Sequence, residues 1–460
     1  MSRVEKDMFG ELELPSGCYW GIHTERALRN FHLIGRPVNP ALVRAMALVK
    51  KACCLANLQT GNIGEEKAKA ILQAADEIAE GKLADQFPVD ALQGGAGTSV
   101  NMNINEVIAN RAIEIMGGRK GDYSLVNPLD DVNLHQSTND TFPTAIKIAG
   151  IYGLRRVSEK AAALQGAFQE KEKEFGKIVK VGRTELQEAV PLTLGAEFSA
   201  FSEAVSRDRW RTFKCEERLR VVNIGGTAVG TGLAAPREYI FLVIEKLREV
   251  TGLGLARGEN LTGETANADP FVEVSGILKA HAANLIKISN DLRLLNLLGE
   301  IHLPGLQAGS SIMPGKVNPV QMEAAIQAGI KVTANDSIVA EAASRGTLQI
   351  VEFLPLLADA LLESLELLAN TDAMLAGAVK DIRADEAKCR AYFDRSPTII
   401  TALLPVIGYE KASALLKEFG QSGMEDMRMF LETKLDRQAV EQALSPYRLT
   451  ALGYKTEYKK

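Results

Sequence analysis

The sequence predicts a mainly α fold in three domains, with a long central helix bundle. The clearest support is the stretch from Phe271 to Leu295. There Phe271, Val274, Leu278, His281, Leu285, Ile288, Leu292 and Leu295 recur at alternating spacings of three and four, the pattern of a coiled-coil-like seam. At 1.5 Å per residue this helix would run about 38 Å, too long for a compact core and suited to an elongated bundle shared between chains. The stretches 145–175, 194–222 and 320–375 are similarly long and rich in Ala, Leu, Glu and Lys, which brings the expectation to about five long helices. Residues 1–139 differ, mixing short turns, a few helices and glycine clusters.

In chain order, residues 1–139 read as an N-terminal mixed, mainly helical domain that opens on acidic, strand-like sequence. Residues 140–390 form the central bundle. His281 falls on its seam and is expected as a packed, hydrogen-bonded interior histidine without a chemical role. The run Gly225-Gly226-Thr227-Ala228-Val229-Gly230-Thr231-Gly232 offers GxG spacing, but it lacks the Lys-Ser/Thr ending of a phosphate loop and follows a helical stretch. It is read as a tight turn between helices. Around Pro397 and Pro405 the pattern changes to shorter helices with a charged tail, giving a small C-terminal helical domain over 391–460.

Composition removes several function classes. A chain of 460 residues exceeds the usual single core. With 46% hydrophobic and 24% charged residues it resembles soluble globular proteins, and no window approaches eighteen uninterrupted apolar residues. No membrane association is expected. The opening Met-Ser-Arg-Val-Glu-Lys-Asp-Met lacks the apolar core of a signal peptide, so a cytoplasmic location is expected. The five cysteines, Cys18, Cys53, Cys54, Cys215 and Cys389, show no CxxC spacing, which argues against a disulfide framework or a zinc site. A net charge of -5 with interspersed cations leaves no basic stripe, and nucleic acid is not an expected partner. None of the five histidines sits in a metal-ligand pattern, so neither a metal nor another cofactor is expected.

Four separated segments carry the chemistry. They are Gly94-Gly95-Ala96-Gly97-Thr98-Ser99-Val100-Asn101-Met102-Asn103 with Glu106 following; Asn133-Leu134-His135-Gln136-Ser137-Thr138-Asn139-Asp140; Gly182-Arg183-Thr184-Glu185-Leu186-Gln187-Glu188-Ala189-Val190-Pro191; and Gly309-Ser310-Ser311-Ile312-Met313-Pro314-Gly315-Lys316-Val317-Asn318-Pro319, closed by Glu323. Each alone would suit a cap or a turn. Together they supply hydroxyl and amide donors for carboxylate oxygens, and Lys316 supplies the opposite charge. A small dicarboxylate or amino-acid substrate fits these groups. Donors converging on one carboxylate would stabilise the enediolate formed when a proton leaves the adjacent carbon. The reaction class is proton abstraction next to a carboxylate, followed by loss of a β leaving group.

All four segments resemble the signature regions of the aspartase/fumarase superfamily, and the likeness extends over nearly the whole chain. It includes Glu5-Lys6-Asp7, Tyr19-Trp20-Gly21, Arg26-Ala27, the Gly225–Gly232 turn and 406–411. The resemblance implies a homotetramer with a twenty-helix core, each active site being assembled from three subunits. It implies that Ser310 is the base taking the Cβ proton, and that Lys316 and Asn318 hold the α-carboxylate. Thr98, Ser137, Thr138 and Ser311 would surround the other carboxylate, with Thr184 and Asn139 near the leaving group. A free serine hydroxyl is a poor base, so its oxyanion needs nearby amides or cations.

Two departures bear on the leaving group. Glu185 stands where fumarases and some aspartases have histidine and other aspartases have glutamine. Glu323 matches the carboxylate that pairs with that histidine, so two glutamates would face each other unless a proton or a cation relieves them. The connection 293–303 is shorter than usual and lacks the family's arginine-containing Ser-Gly-Pro-Arg. A carboxylate beside the leaving group suits an ammonium. The expectation is therefore a carbon–nitrogen lyase acting on L-aspartate, with an ammonia-lyase favoured over a hydratase. The alternatives are hydration of fumarate to malate, a lyase releasing a different amine, and, from a different class, an inactive structural paralogue.

Overall fold

The computed structural model describes residues 2–454, and the chain falls into two compact units. The first comprises Met1–Ser158, Trp210–Ala282 and Ile330–Ala369; the second comprises Glu159–Arg209, Ala283–Gly329 and Asn370–Lys460. Among the described residues, five helices have 25 residues or more: Thr138–Glu174, Leu194–Leu219, Asp269–Leu298, Val320–Ser344 and Leu354–Lys380. These are the five long helices expected from the sequence. The 320–375 stretch supplies two of them, because Gly346 and the left-handed Leu348 turn the chain between them. All eight seam positions from Phe271 to Leu295 are buried, and His281 is fully enclosed. No helix among the described residues is long and apolar enough to cross a membrane.

In the first unit, the Pro40–Gln59 helix starts at Asn39, whose side chain accepts from the Ala41 amide, with Pro40 opening the first turn. Its inward stripe is apolar, save for Lys50 and Asn57. The Thr138–Glu174 helix contains Pro143, which cannot donate to the Asn139 carbonyl four residues back. Asn223 supplies the missing donor, its Nδ2 lying 2.9 Å from that carbonyl. The helix therefore continues through the proline, and the start of the helix is tied to the 221–232 segment.

Strands are few and short, all paired two by two. Ser2–Asp7 and Gly10–Pro15 form the opening hairpin, in keeping with the strand-like start. In the second unit, Val179–Thr184 pairs antiparallel with Gln187–Thr193. Within the stretch read as a central helix bundle this hairpin is an exception, because Val179 and Val181 alternate and join the apolar core of Phe393, Ile399, Phe430 and Leu431. The Gly225–Gly232 turn follows a short strand and not the helix expected. The helix before it ends at Leu219, and Val221–Val222 pairs in parallel with Ala256–Arg257 before the glycines begin.

Candidate active site

In the first unit, Thr98, Ser137 and Thr138 line one cavity of about 560 Å³, together with Asn101, Asn133, His135 and Gln136. Thr98 is the first residue of the Thr98–Ile115 helix, and its own N–H is bonded to the Gly95 carbonyl at 2.9 Å, which fixes the hydroxyl at the helix start. Gly97 makes this start possible. Its φ is +96°, and a Cβ there would lie 2.6 Å from the Phe142 ring.

Hydrogen bonds fix which way the hydroxyls act. Asn101 Nδ2 donates to Thr138 Oγ1 at 3.0 Å, which leaves the threonine proton for a ligand. Ser137 Oγ accepts from the Asn139 amide at 3.2 Å, with the same consequence. Asn139 Nδ2 donates 2.7 Å to the carbonyl of Ala228, which also lines the cavity. This wall therefore presents donors to its contents.

A charged layer is buried behind it. Lys50 is fully enclosed, and its Nζ donates to Asn133 Oδ1 and Gln136 Oε1, both at 2.9 Å. Asp140, equally enclosed, accepts from the backbone amides of Ser137 at 3.0 Å, Thr227 at 2.9 Å and Gly225 at 3.2 Å. Burial pushes the Asp140 carboxyl up to about 7 and the Lys50 ammonium down to about 7. His135 has a left-handed backbone, φ +61°. Its Nδ1 lies 2.7 Å from Asn57 Oδ1, and Asn57 Nδ2 donates to the Leu134 carbonyl. That orientation makes Asn57 Oδ1 the acceptor and puts the imidazole proton on Nδ1. Burial lowers the affinity of the ring for a second proton.

The second unit holds Thr184, Glu185, Ser310, Ser311, Lys316, Asn318 and Glu323. The 309–318 loop is closed by two bonds, from the Gly309 amide to the Lys316 carbonyl at 2.7 Å and from Asn318 Nδ2 to the Gly309 carbonyl at 3.0 Å. Gly309 permits this closure, since a Cβ there would meet the Lys316 carbonyl oxygen and Asn318 Cγ at 2.9 Å each. Ser310 Oγ accepts from the backbone amides of Ile312 at 3.2 Å and Met313 at 3.0 Å. Two N–H dipoles directed at one hydroxyl oxygen favour its deprotonated form. Residues 311–317 are exposed, Lys316 among them.

Thr184 and Glu185 sit at the tip of the 179–193 hairpin, where Thr184 pairs with Gln187 across the two-residue turn. Glu185 and Leu186 both have positive φ, +52° and +63°. Such turns favour Asn and Gly, so this non-glycine pair holds Glu185 in a strained, exposed position. The hairpin is anchored by the buried Glu300, which meets Arg183 Nη1 at 2.8 Å and Lys180 Nζ at 2.9 Å. Glu323, in the first turn of the Val320–Ser344 helix, has the Arg293 guanidinium 3.9 Å away. A cation therefore stands beside the carboxylate that was expected to face Glu185.

The residues singled out in the sequence thus fall into one group of four and one of seven. Asn101, Asn133, Gln136 and Asp140 lie inside the segments quoted from the sequence but were given no role there, and Lys50 lies outside them. Lys50 had a signal: it lies on the apolar stripe Met46, Val49, Cys53 and Ala56, all buried, where a lysine needs a reason.

A family model described as a lyase matches residues 10–334. The aspartate ammonia-lyase of Bacillus subtilis (strain 168) is 43% identical over 462 residues, spanning 98% of this chain and 96% of the relative. That of Escherichia coli (strain K12) is 43% identical over 442 residues, spanning 94% and 92%. The crystal structure of fumarate lyase:delta crystallin from Brucella melitensis bound to cobalt superposes with a TM-score of 0.94 at 44% identity, covering 98% of this chain and all of that one. The recombinant class II fumarase from Schistosoma mansoni superposes with a TM-score of 0.91 at 30% identity, covering 97% and 98%.

Proposed function

The chain belongs to the lyase family that holds the aspartases and fumarases, and we propose on that premise that it is a carbon–nitrogen lyase converting L-aspartate reversibly to fumarate and ammonia. The observation that carries the chemistry is the pair of backbone amides on Ser310 Oγ. They stabilise the serine oxyanion that takes the Cβ proton. The electron pair left on Cβ spreads into the adjacent carboxylate, and Thr98, Ser137, Thr138 and Ser311 hold the resulting enediolate through hydroxyl donors. Collapse forms the carbon–carbon double bond and breaks the C–N bond, and the nitrogen leaves with its electron pair as ammonia. Lys316 and the second N–H of Asn318 hold the α-carboxylate. Thr184, Asn139 and Glu185 surround the amine; the Glu185 carboxylate orients the substrate ammonium, and Glu323, with the Arg293 guanidinium beside it, has a supporting role.

The two groups of residues meet, in this reading, in a site assembled from several copies of the chain in a cytoplasmic homotetramer. The segments 1–139, 140–390 and 391–460 are its working divisions. The test is to incubate purified protein separately with L-aspartate, L-malate and substituted aspartates while following the ultraviolet absorbance of the conjugated acid. Absorbance with aspartate and not with malate is expected. The reverse result would replace the ammonia-lyase with a hydratase. Mixing inactive Ser310→Ala and Thr98→Val subunits tests the assembly, since restored activity requires residues from different copies in one site.

A further inference from the structure

Four lysines are buried among the described residues: Lys50, Lys147, Lys171 and Lys180. Three have a carboxylate oxygen close by, Lys147 on Glu264 at 2.9 Å, Lys171 on Glu174 at 2.8 Å and Lys180 on Glu300 at 2.9 Å. Lys50 differs. Its two hydrogen-bond partners are the neutral amide oxygens of Asn133 and Gln136. A buried ammonium without a bonded anion is costly, and both of its amide partners line the cavity that also contains Ser137 and Thr138.

The groups around Lys50 offset its charge only in part at neutral pH. The Cys53 thiol is pushed up to about 12 by burial, so it is uncharged. The Tyr239 phenol, fully buried, is raised far above its usual range. The His135 ring beside Tyr239 is held neutral by burial. Asp140, pushed up to about 7 and so only partly ionised there, acts on Lys50 through space, while its carboxylate oxygens are bonded to the backbone amides of Ser137, Gly225 and Thr227 and not to the ammonium.

We propose that Lys50 is a positioning residue whose charge is completed by the substrate: a dicarboxylate in the cavity keeps Lys50 protonated, and the ammonium holds the 133–138 turn in place through Asn133 and Gln136. Binding of the dianion is therefore coupled to uptake of a proton. The inference rests on reading the cavity as a dicarboxylate site. It goes further by making the protonation of a residue that never touches the substrate a condition of tight binding.

Fumarate without ammonia is a ligand that cannot react onward, so binding can be measured alone. The wild-type protein is titrated calorimetrically with fumarate at pH 6, 7 and 8 in buffers of different ionisation enthalpy. Uptake is expected to be small at pH 6, about half a proton per site at pH 7 and close to one at pH 8, with Kd rising about fivefold between pH 7 and 8. Lys50→Gln abolishes the uptake. Asn133→Asp, which gives the ammonium a permanent carboxylate, abolishes it independently and decides the matter if Lys50→Gln does not fold. His135→Asn retains it. Fumarate binding without proton uptake in the wild type, or uptake persisting in Asn133→Asp or in folded Lys50→Gln, overturns the proposal. If fumarate does not bind at all, the dicarboxylate reading of the cavity fails first and takes this inference with it.

Discussion

Thr138 and Ser310 are both hydroxyls assigned to the same reaction, yet they are held in opposite ways. Thr138 is buried, backed by Asn101, which itself bonds Asn133, which in turn bonds Lys50. Ser310 lies at the start of an exposed run, and its oxygen is held by amides two and three residues further on. The difference fits the roles proposed for them. A wall that stabilises developing charge works best when its donors need no reorganisation. A base that closes over the substrate must leave room for entry, and local bonds let it move with its oxyanion site intact.

The largest expected effect breaks the loop side. Ser310→Ala should lower kcat by about 10²–10⁴-fold, the range for a positioned acid or base, while fumarate binding and the urea unfolding midpoint stay near wild type. Undiminished turnover would remove Ser310 as the base. On the cavity side, Asn101→Ala should strike both properties together. Loss of the donor that orients Thr138 is expected to cost about 10²-fold in kcat, and loss of the buried amide's own hydrogen bonds about 1 kcal/mol of stability. A variant that lost activity and kept full stability would show that the wall is not the interlocked layer described.

The same contrast explains what was legible in the sequence. The seam from Phe271 to Leu295 was readable because burial on a helix imposes a period, and every position is enclosed. The four polar segments were readable as recurrent clusters, and the loop's function depends mainly on neighbours in sequence: Ser310 with Ile312 and Met313, Gly309 with Lys316. The cavity wall depends on distant partners. Asn223 replaces the donor that Pro143 lacks, across a gap of 84 residues, and Lys50 reaches Asn133 across 83. No local spacing records such pairings. The turn at Glu185 and Leu186 was hidden for another reason: its left-handed conformation is imposed on residues that carry none of the usual turn signal.

Two glycine replacements sharpen the comparison at intermediate size. Gly97→Ala forces a left-handed residue and a Cβ against the Phe142 ring, so stability should fall by roughly 2–4 kcal/mol as the first turn at Thr98 is displaced. Gly309→Ala meets the Lys316 carbonyl and Asn318 in an exposed loop. It is expected to open the loop, lowering kcat/KM by about tenfold or more with a change in unfolding free energy below about 1 kcal/mol. Equal destabilisation by the two would mean that the loop is as tightly built as the wall.

The smallest effect concerns pH, where of the two regions compared only the buried layer should respond. Asp140 is pushed up to about 7, so the folded chain retains a proton there that the unfolded chain releases near pH 4. Its contribution to stability is complete below about pH 4 and is lost as the pH rises through about 7. Lys50, pushed down to about 7, has the opposite sign: its contribution is complete above about pH 10 and is lost as the pH falls through about 7. Without substrate the two give a stability minimum near neutrality. Asp140→Asn removes the acid limb, so urea midpoints from pH 5 to 8 should show the wild type losing on the order of 1 kcal/mol relative to the variant as the pH rises towards 7. Ser310→Ala should instead run parallel to the wild type throughout. Parallel curves for Asp140→Asn as well would mean that its carboxylate stays ionised in the fold, held by its three amide donors, and that the charged layer behind the wall does not titrate.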